Sequence, residues 1–114
     1  MSARDWTLTI RAGSTVEHER HDSLEEAIEA LAAALRALEP SAPRGEQRLF
    51  ARHIEPVQQV AARLELAGPR GQRGGVDLRG DGSSEPFSGR LRRRVIERRK
   101  GESAADALRR ALAT

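Results

Sequence analysis

The chain has 114 residues, of which 38% are hydrophobic and 32% charged, with a formal net charge of +3. This length suits one domain, which at such a size buries roughly two-thirds of the surface its unfolded chain exposes and folds without a metal or disulfide. There is no Cys, which excludes disulfides, a CxxC redox centre and thiolate metal sites; with no signal-like or membrane-spanning apolar run, the expectation is a cytoplasmic protein with no membrane partner.

Trp6 to Arg11 alternates apolar and polar residues with period two and stops at Ala12-Gly13-Ser14, which predicts a half-buried strand and a turn. Thr15 to His21 is the return strand, polar on both faces as suits a sheet edge. Ser23-Leu24-Glu25-Glu26 is a capping box, in which Ser23 accepts from a backbone N–H and Glu26 reaches back. Leu24, Ala27, Ile28, Leu31, Leu35 and Leu38 then recur at three and four, giving an amphipathic helix ended by Pro40 and Pro43.

After a linker at residues 41–45, Gln47 to Ile54 reads as a strand and Val57 to Leu66 as another, with Val60, Ala62, Leu64 and Leu66 on one face. Gly68 to Gly75 reads as an exposed loop, Val76 to Arg79 as a short strand, and Gly80-Asp81-Gly82-Ser83 as a tight turn. Residues 87–97 read as a strand with Phe87, Leu91 and Val95 inward, although period two places Arg93 in the same set; a helical stripe of Phe87, Leu91 and Val95 is the alternative. Ser103 to Asp106 resembles a capping box with the shorter acid, opening a last helix with Leu108, Ala111 and Leu112 inward. The expected architecture is one α+β domain over residues 1–114, in the order β-β-α-β-β-β-β-α. Its mostly antiparallel sheet carries two amphipathic helices on one face and leaves the other face wet.

Charge is unevenly spread. Residues 1–62 hold seven Arg against ten Asp and Glu, residues 63–100 hold eleven Arg and Lys against five, and residues 101–114 are balanced. The densest run is Arg90 to Lys100. As a strand, Arg90, Arg92 and Arg94 project from one face about 6–7 Å apart at a rise near 3.3 Å per residue, a row suited to phosphates. As a helix, Arg90, Arg94 and Arg98 form the row instead, and the planar fork of Arg holds phosphate in either case. The plain structural reading is a solvated edge whose charges prevent sheet-to-sheet pairing and complement Glu25, Glu26 and Glu29 of the first helix.

Other motifs carry less. Gly68 to Gly75 includes Arg70 and Arg73 but lacks the GxxxxGK[ST] order of a phosphate-binding loop. His18 and His21 point to opposite faces of a strand and cannot share a metal ion, although Glu17, Glu19 and His21 lie on one face. His53 with Glu55 could serve in acid–base chemistry, but no nucleophile motif accompanies them. Arg79-Gly80-Asp81 reads as a hairpin tip. A double-stranded-RNA-binding pattern fails at Ser103 to Asp106, neutral to acidic where that family is Lys-rich.

The stretch Gly101 to Leu112 is similar to the second helix of ribbon-helix-helix DNA-binding proteins. That resemblance implies a ribbon at Val76–Arg79, a first helix over Glu85–Arg99 and DNA binding by residues 75–114.

The expected function is a non-enzymatic binding module, without cofactor or metal. It engages nucleic acid, as RNA or a single strand, through Arg70, Arg73, Arg90, Arg92, Arg94, Arg98, Arg99 and Lys100. The scarcity of aromatics (Trp6, Phe50 and Phe87) argues against tight base reading. The alternative is a protein-interaction subunit, either a homo-oligomer joining acidic helix to basic strand or a partner for an acidic protein.

Overall fold

Alternation along Trp6–Ala12 makes β1 a strand with one dry face: Trp6, Leu8 and Ile10 are buried, while Thr7 and Thr9 are half-buried on the other side. It turns at Gly13 into β2 (Thr15–His21), an almost wholly exposed edge strand. The computed structural model describes residues 5–39, 60–89 and 91–113. Helix α1 (Leu24–Leu38) begins where Ser23 Oγ accepts from Glu26 N, and the Glu26 carboxylate reaches one residue further back than a capping box requires, to Asp22 N. Its buried stripe is Ala27, Ile28, Leu31 and Leu35, four of the six positions expected, with Leu24 and Leu38 packed at the margin.

The chain returns as β3 (Val60–Ala67), which hydrogen-bonds to β1, and then β4 (Arg73–Arg79), β5 (Ser84–Ser88) and β6 (Arg94–Val95). All pairings are antiparallel and the sheet order is β2-β1-β3-β4-β5-β6. Helix α2 (Ala104–Leu112) closes the chain behind a complete capping box between Ser103 and Asp106. Both helices lie on one face of the sheet. Leu31, Leu35, Leu108 and Leu112 meet Leu8, Leu64, Leu66, Val76 and Leu78 in a single apolar core. Each fully buried Leu or Val contributes about 1.5–3 kcal/mol of transfer free energy.

The α+β class and the order β-β-α-β-β-β-β-α are those expected, but the residues are shared out differently. The strand expected at Gln47–Ile54, the linker at 41–45, Pro40, Pro43, and the His53–Glu55 pair lie outside the described residues. The supposed loop at 68–75 is shorter, because Arg73, Gly74 and Gly75 belong to β4. These glycines are buried by close approach: a Cβ on Gly74 would stand 2.8 Å from Leu108 Cδ1, on the helix side. The single strand expected at 87–97 is two, interrupted where Gly89 takes φ +95 and the carbonyl oxygen of Arg92 lies 2.5 Å from where a Cβ would stand. The same residues correct the ribbon-helix-helix expectation: the described residues of Glu85–Arg99 hold most of β5 and all of β6, with no helix among them.

Candidate nucleic-acid interface

The face of the sheet away from the helices is built from the odd-numbered residues of β3, β4 and β5. Arg63 stands opposite Asp77, and Glu65 opposite Gly75, in the β3–β4 ladder. Glu85 stands opposite Asp77, and Phe87 opposite Gly75, in the β4–β5 ladder. Phe87 therefore faces this open side and not the core, which corrects the inward placement. Leu91, grouped with it by period two, is 92% exposed.

Opposite charges tile this face. Arg63 donates from Nε to Asp77 Oδ1 at 2.6 Å and from Nη2 to Oδ2 at 3.1 Å, a bidentate pair that raises the Arg63 pKa despite partial burial. Arg11 Nε donates to Glu65 Oε1 at 3.2 Å, Arg93 Nη2 approaches Glu65 Oε2 at 3.5 Å, and Arg79 Nη2 donates to Glu85 Oε1 at 2.6 Å. The guanidinium carbons of Arg63 and Arg93 lie 5.7 and 5.0 Å from the centre of the Phe87 ring. The wet face thus bears arginines as expected, but their charge is answered by carboxylates in place.

The excess positive charge lies along the β6 edge. Arg92, Arg94, Arg98, Arg99 and Lys100 are all exposed, and none forms an ion pair with a described acid. They do not make the row expected of a long strand, since only Arg94 and Val95 pair with β5, and Arg90 is outside the described residues. The cations divide between two ends of the sheet. Gly89 N donates to Arg73 O at 2.9 Å, so the turn that carries Arg70, the start of β4 at Arg73, and the bend at Arg92 share one end. Ile96 N donates to Pro86 O, which carries the following residues toward the β4–β5 turn. There, Arg79, Ser84, Glu85, Pro86, Ile96 and Arg98 help to line a groove of about 620 Å³.

The irregular segment holding Arg98, Arg99 and Lys100 is fastened from behind. Arg110 on α2 donates from Nε to Glu102 Oε2 and from Nη2 to Glu102 Oε1, both at 2.9 Å, and its Nη2 also reaches Glu97 O at 2.9 Å. Glu102 Oε1 accepts from Arg99 N at 2.9 Å as well. These hydrogen bonds, chiefly that from Arg110, hold the Glu102 carboxyl down at about 2 and raise the pKa of Arg110. A basic stretch without regular secondary structure is thereby given a fixed backbone course.

Sequence reasoning missed Arg63, Phe87 and Arg93. A signal was present: period two placed Arg93 in one alternating set with Phe87, which fits an aromatic on a charged face better than one in a core. His18 Nδ1 lies 3.1 Å from Thr9 Oγ1 and His21 Nε2 3.1 Å from Glu19 Oε1, on opposite faces of β2 as expected. Among the described residues no group of three His, Asp or Glu side chains is gathered to hold a metal ion. No described helix is long and apolar enough to cross a membrane. Family models, curated proteins and solved structures give no match to this chain.

Proposed function

We propose that this chain is a non-enzymatic module that binds the phosphate backbone of nucleic acid, single-stranded or RNA, along its β6 edge. The observation that carries this reading is the separation of two kinds of arginine. Arg11, Arg63, Arg79 and Arg93 over the sheet are held by carboxylates, whereas the side chains of Arg92, Arg94, Arg98, Arg99 and Lys100 are exposed and form no ion pair with a described acid. Two groups of cations, Arg92 and Arg94 with Arg70 and Arg73 at one end and Arg98, Arg99 and Lys100 toward the other, suit phosphates of one strand, each contact releasing condensed counterions. Anchoring of the segment by Arg110 and Glu102 lowers the ordering cost that a flexible basic tail would meet on binding.

The test is fluorescence anisotropy with a labelled single-stranded oligonucleotide across a salt series. Affinity is expected to fall steeply with salt, and Arg92→Glu with Arg94→Glu is expected to weaken binding at least tenfold. Unchanged binding in that double variant overturns the reading. An acidic protein partner would use the same cations; it is favoured if no oligonucleotide binds while a polyglutamate chain does.

A further inference from the structure

We propose that the open sheet face holds a stacking site for one unpaired nucleobase, formed by the Arg93 guanidinium over Phe87 and the hollow beside them. This rests on the nucleic-acid reading above and adds what the bound strand presents. Phe87 is 4% exposed although it lies on the face remote from the apolar core. Gly75 makes room for the ring from below, because a Cβ there would stand 2.8 Å from Phe87 Cζ. Two guanidiniums cover it, Arg63 at 5.7 Å and Arg93 at 5.0 Å.

Arg93 is the outer member of this stack. Its side chain stays 38% exposed while Glu65 steadies one end at 3.5 Å. A planar cation held over an aromatic ring, with part of its surface in water, is a platform on which a base can stack without any rearrangement of the protein. Glu65 also lines a hollow of about 210 Å³ on the same face, together with Thr7, Thr9, Arg73 and Gly89. Two hydroxyls, the Glu65 carboxylate and the guanidiniums of Arg11 and Arg73 line it and offer donors and acceptors to the edge of a base. The Arg93 guanidinium over Phe87 suits the face of a base, and the edge cations suit the backbone. Arg92 and Arg73 stand at this end of the sheet, placing backbone-binding charge next to the platform.

The experiment compares a twelve-residue oligothymidylate with an abasic sugar–phosphate oligomer of equal length, by anisotropy at moderate salt. The protein is expected to prefer the base-bearing strand about tenfold, the size of one good stack. Arg93→Lys keeps the charge but loses the plane; the preference is expected to fall to within about twofold of unity, with abasic affinity unchanged. Phe87→Leu, which keeps an apolar side chain over Gly75, is expected to do the same, and Arg93→Lys decides the matter if that variant does not fold. Equal binding of both strands by the native protein, or a preference that survives Arg93→Lys, overturns this site and leaves the backbone reading standing. Failure of both strands to bind overturns both.

Discussion

Gly75 and Phe87 face each other across the β4–β5 ladder, and the ring occupies the space a side chain on Gly75 would take. Glycine inside a strand ordinarily weakens it, yet here it admits an aromatic ring that two arginines can cover. Gly75→Ala would bring Cβ to 2.3 Å from Leu64 O and 2.8 Å from Phe87 Cζ. The backbone oxygen cannot yield as a side chain could. A loss of about 2–3 kcal/mol is expected from such overpacking, read from urea denaturation. A stability within 0.5 kcal/mol of the native chain, roughly the scatter of neutral surface substitutions, would show that the ring does not rest on residue 75.

Asp77 is the one buried charged residue among those described, 6% exposed, and Arg63 is its bidentate partner. Asp77→Ala is expected to cost about 2 kcal/mol, because it removes two charge-assisted hydrogen bonds and strands a half-buried guanidinium. Arg63→Met together with Asp77→Ala is expected to recover part of that loss. A double-mutant cycle on denaturation midpoints measures the coupling; additive losses would mean the pair is no more than adjacent.

The Glu102 carboxyl, held at about 2 by Arg110 and Arg99, has a defined pH signature. Its folded value lies below the ordinary 4.5, so the unfolded chain binds the extra proton between those limits. The contribution is fully present above about pH 5 and is lost as pH falls toward about 2. The stability difference between the native protein and Glu102→Gln is therefore expected to be constant near neutrality and to shrink between pH 4.5 and 2. Urea midpoints at several pH values check it; a difference that widens on acidification contradicts the assignment.

Salt dependence separates the edge cations from the rest. Removing Arg98 and Lys100 together is expected to reduce the slope of log affinity against log salt by about 1.4, near 0.7 for each phosphate contact on a single strand. Arg36→Ala, on the exposed side of α1, removes a like charge remote from the edge and is expected to leave the slope unchanged. Equal effects at both places would point to net charge alone.

Elements whose signals are local were legible in the sequence. Strand β1, its hairpin partner, the stripe of α1 and the Ser103–Asp106 capping box each follow from spacing within a few residues. What misled was long-range. Gly74 and Gly75 look like loop residues until Leu108 and Phe87 are brought against them. Phe87 looks like core until Arg63, from 24 positions earlier in the chain, arrives across two strands. The basic run could be weighed as strand or helix but not as a kink, because the left-handed turn at Gly89 shows only in backbone geometry. As to the candidate site, the cations at residues 92–100 were visible as charge. That their side chains form no ion pair with a described acid depends on which acids the sheet assigns to other arginines.

The two borders of the sheet are unlike each other. Beyond β5 the sheet narrows to a two-residue β6, because Pro86 has no N–H to offer it. At the other border, β2 has seven residues and no further strand beside it among those described. Two copies meeting edge to edge at β2 would form a twofold pair with both basic borders outermost.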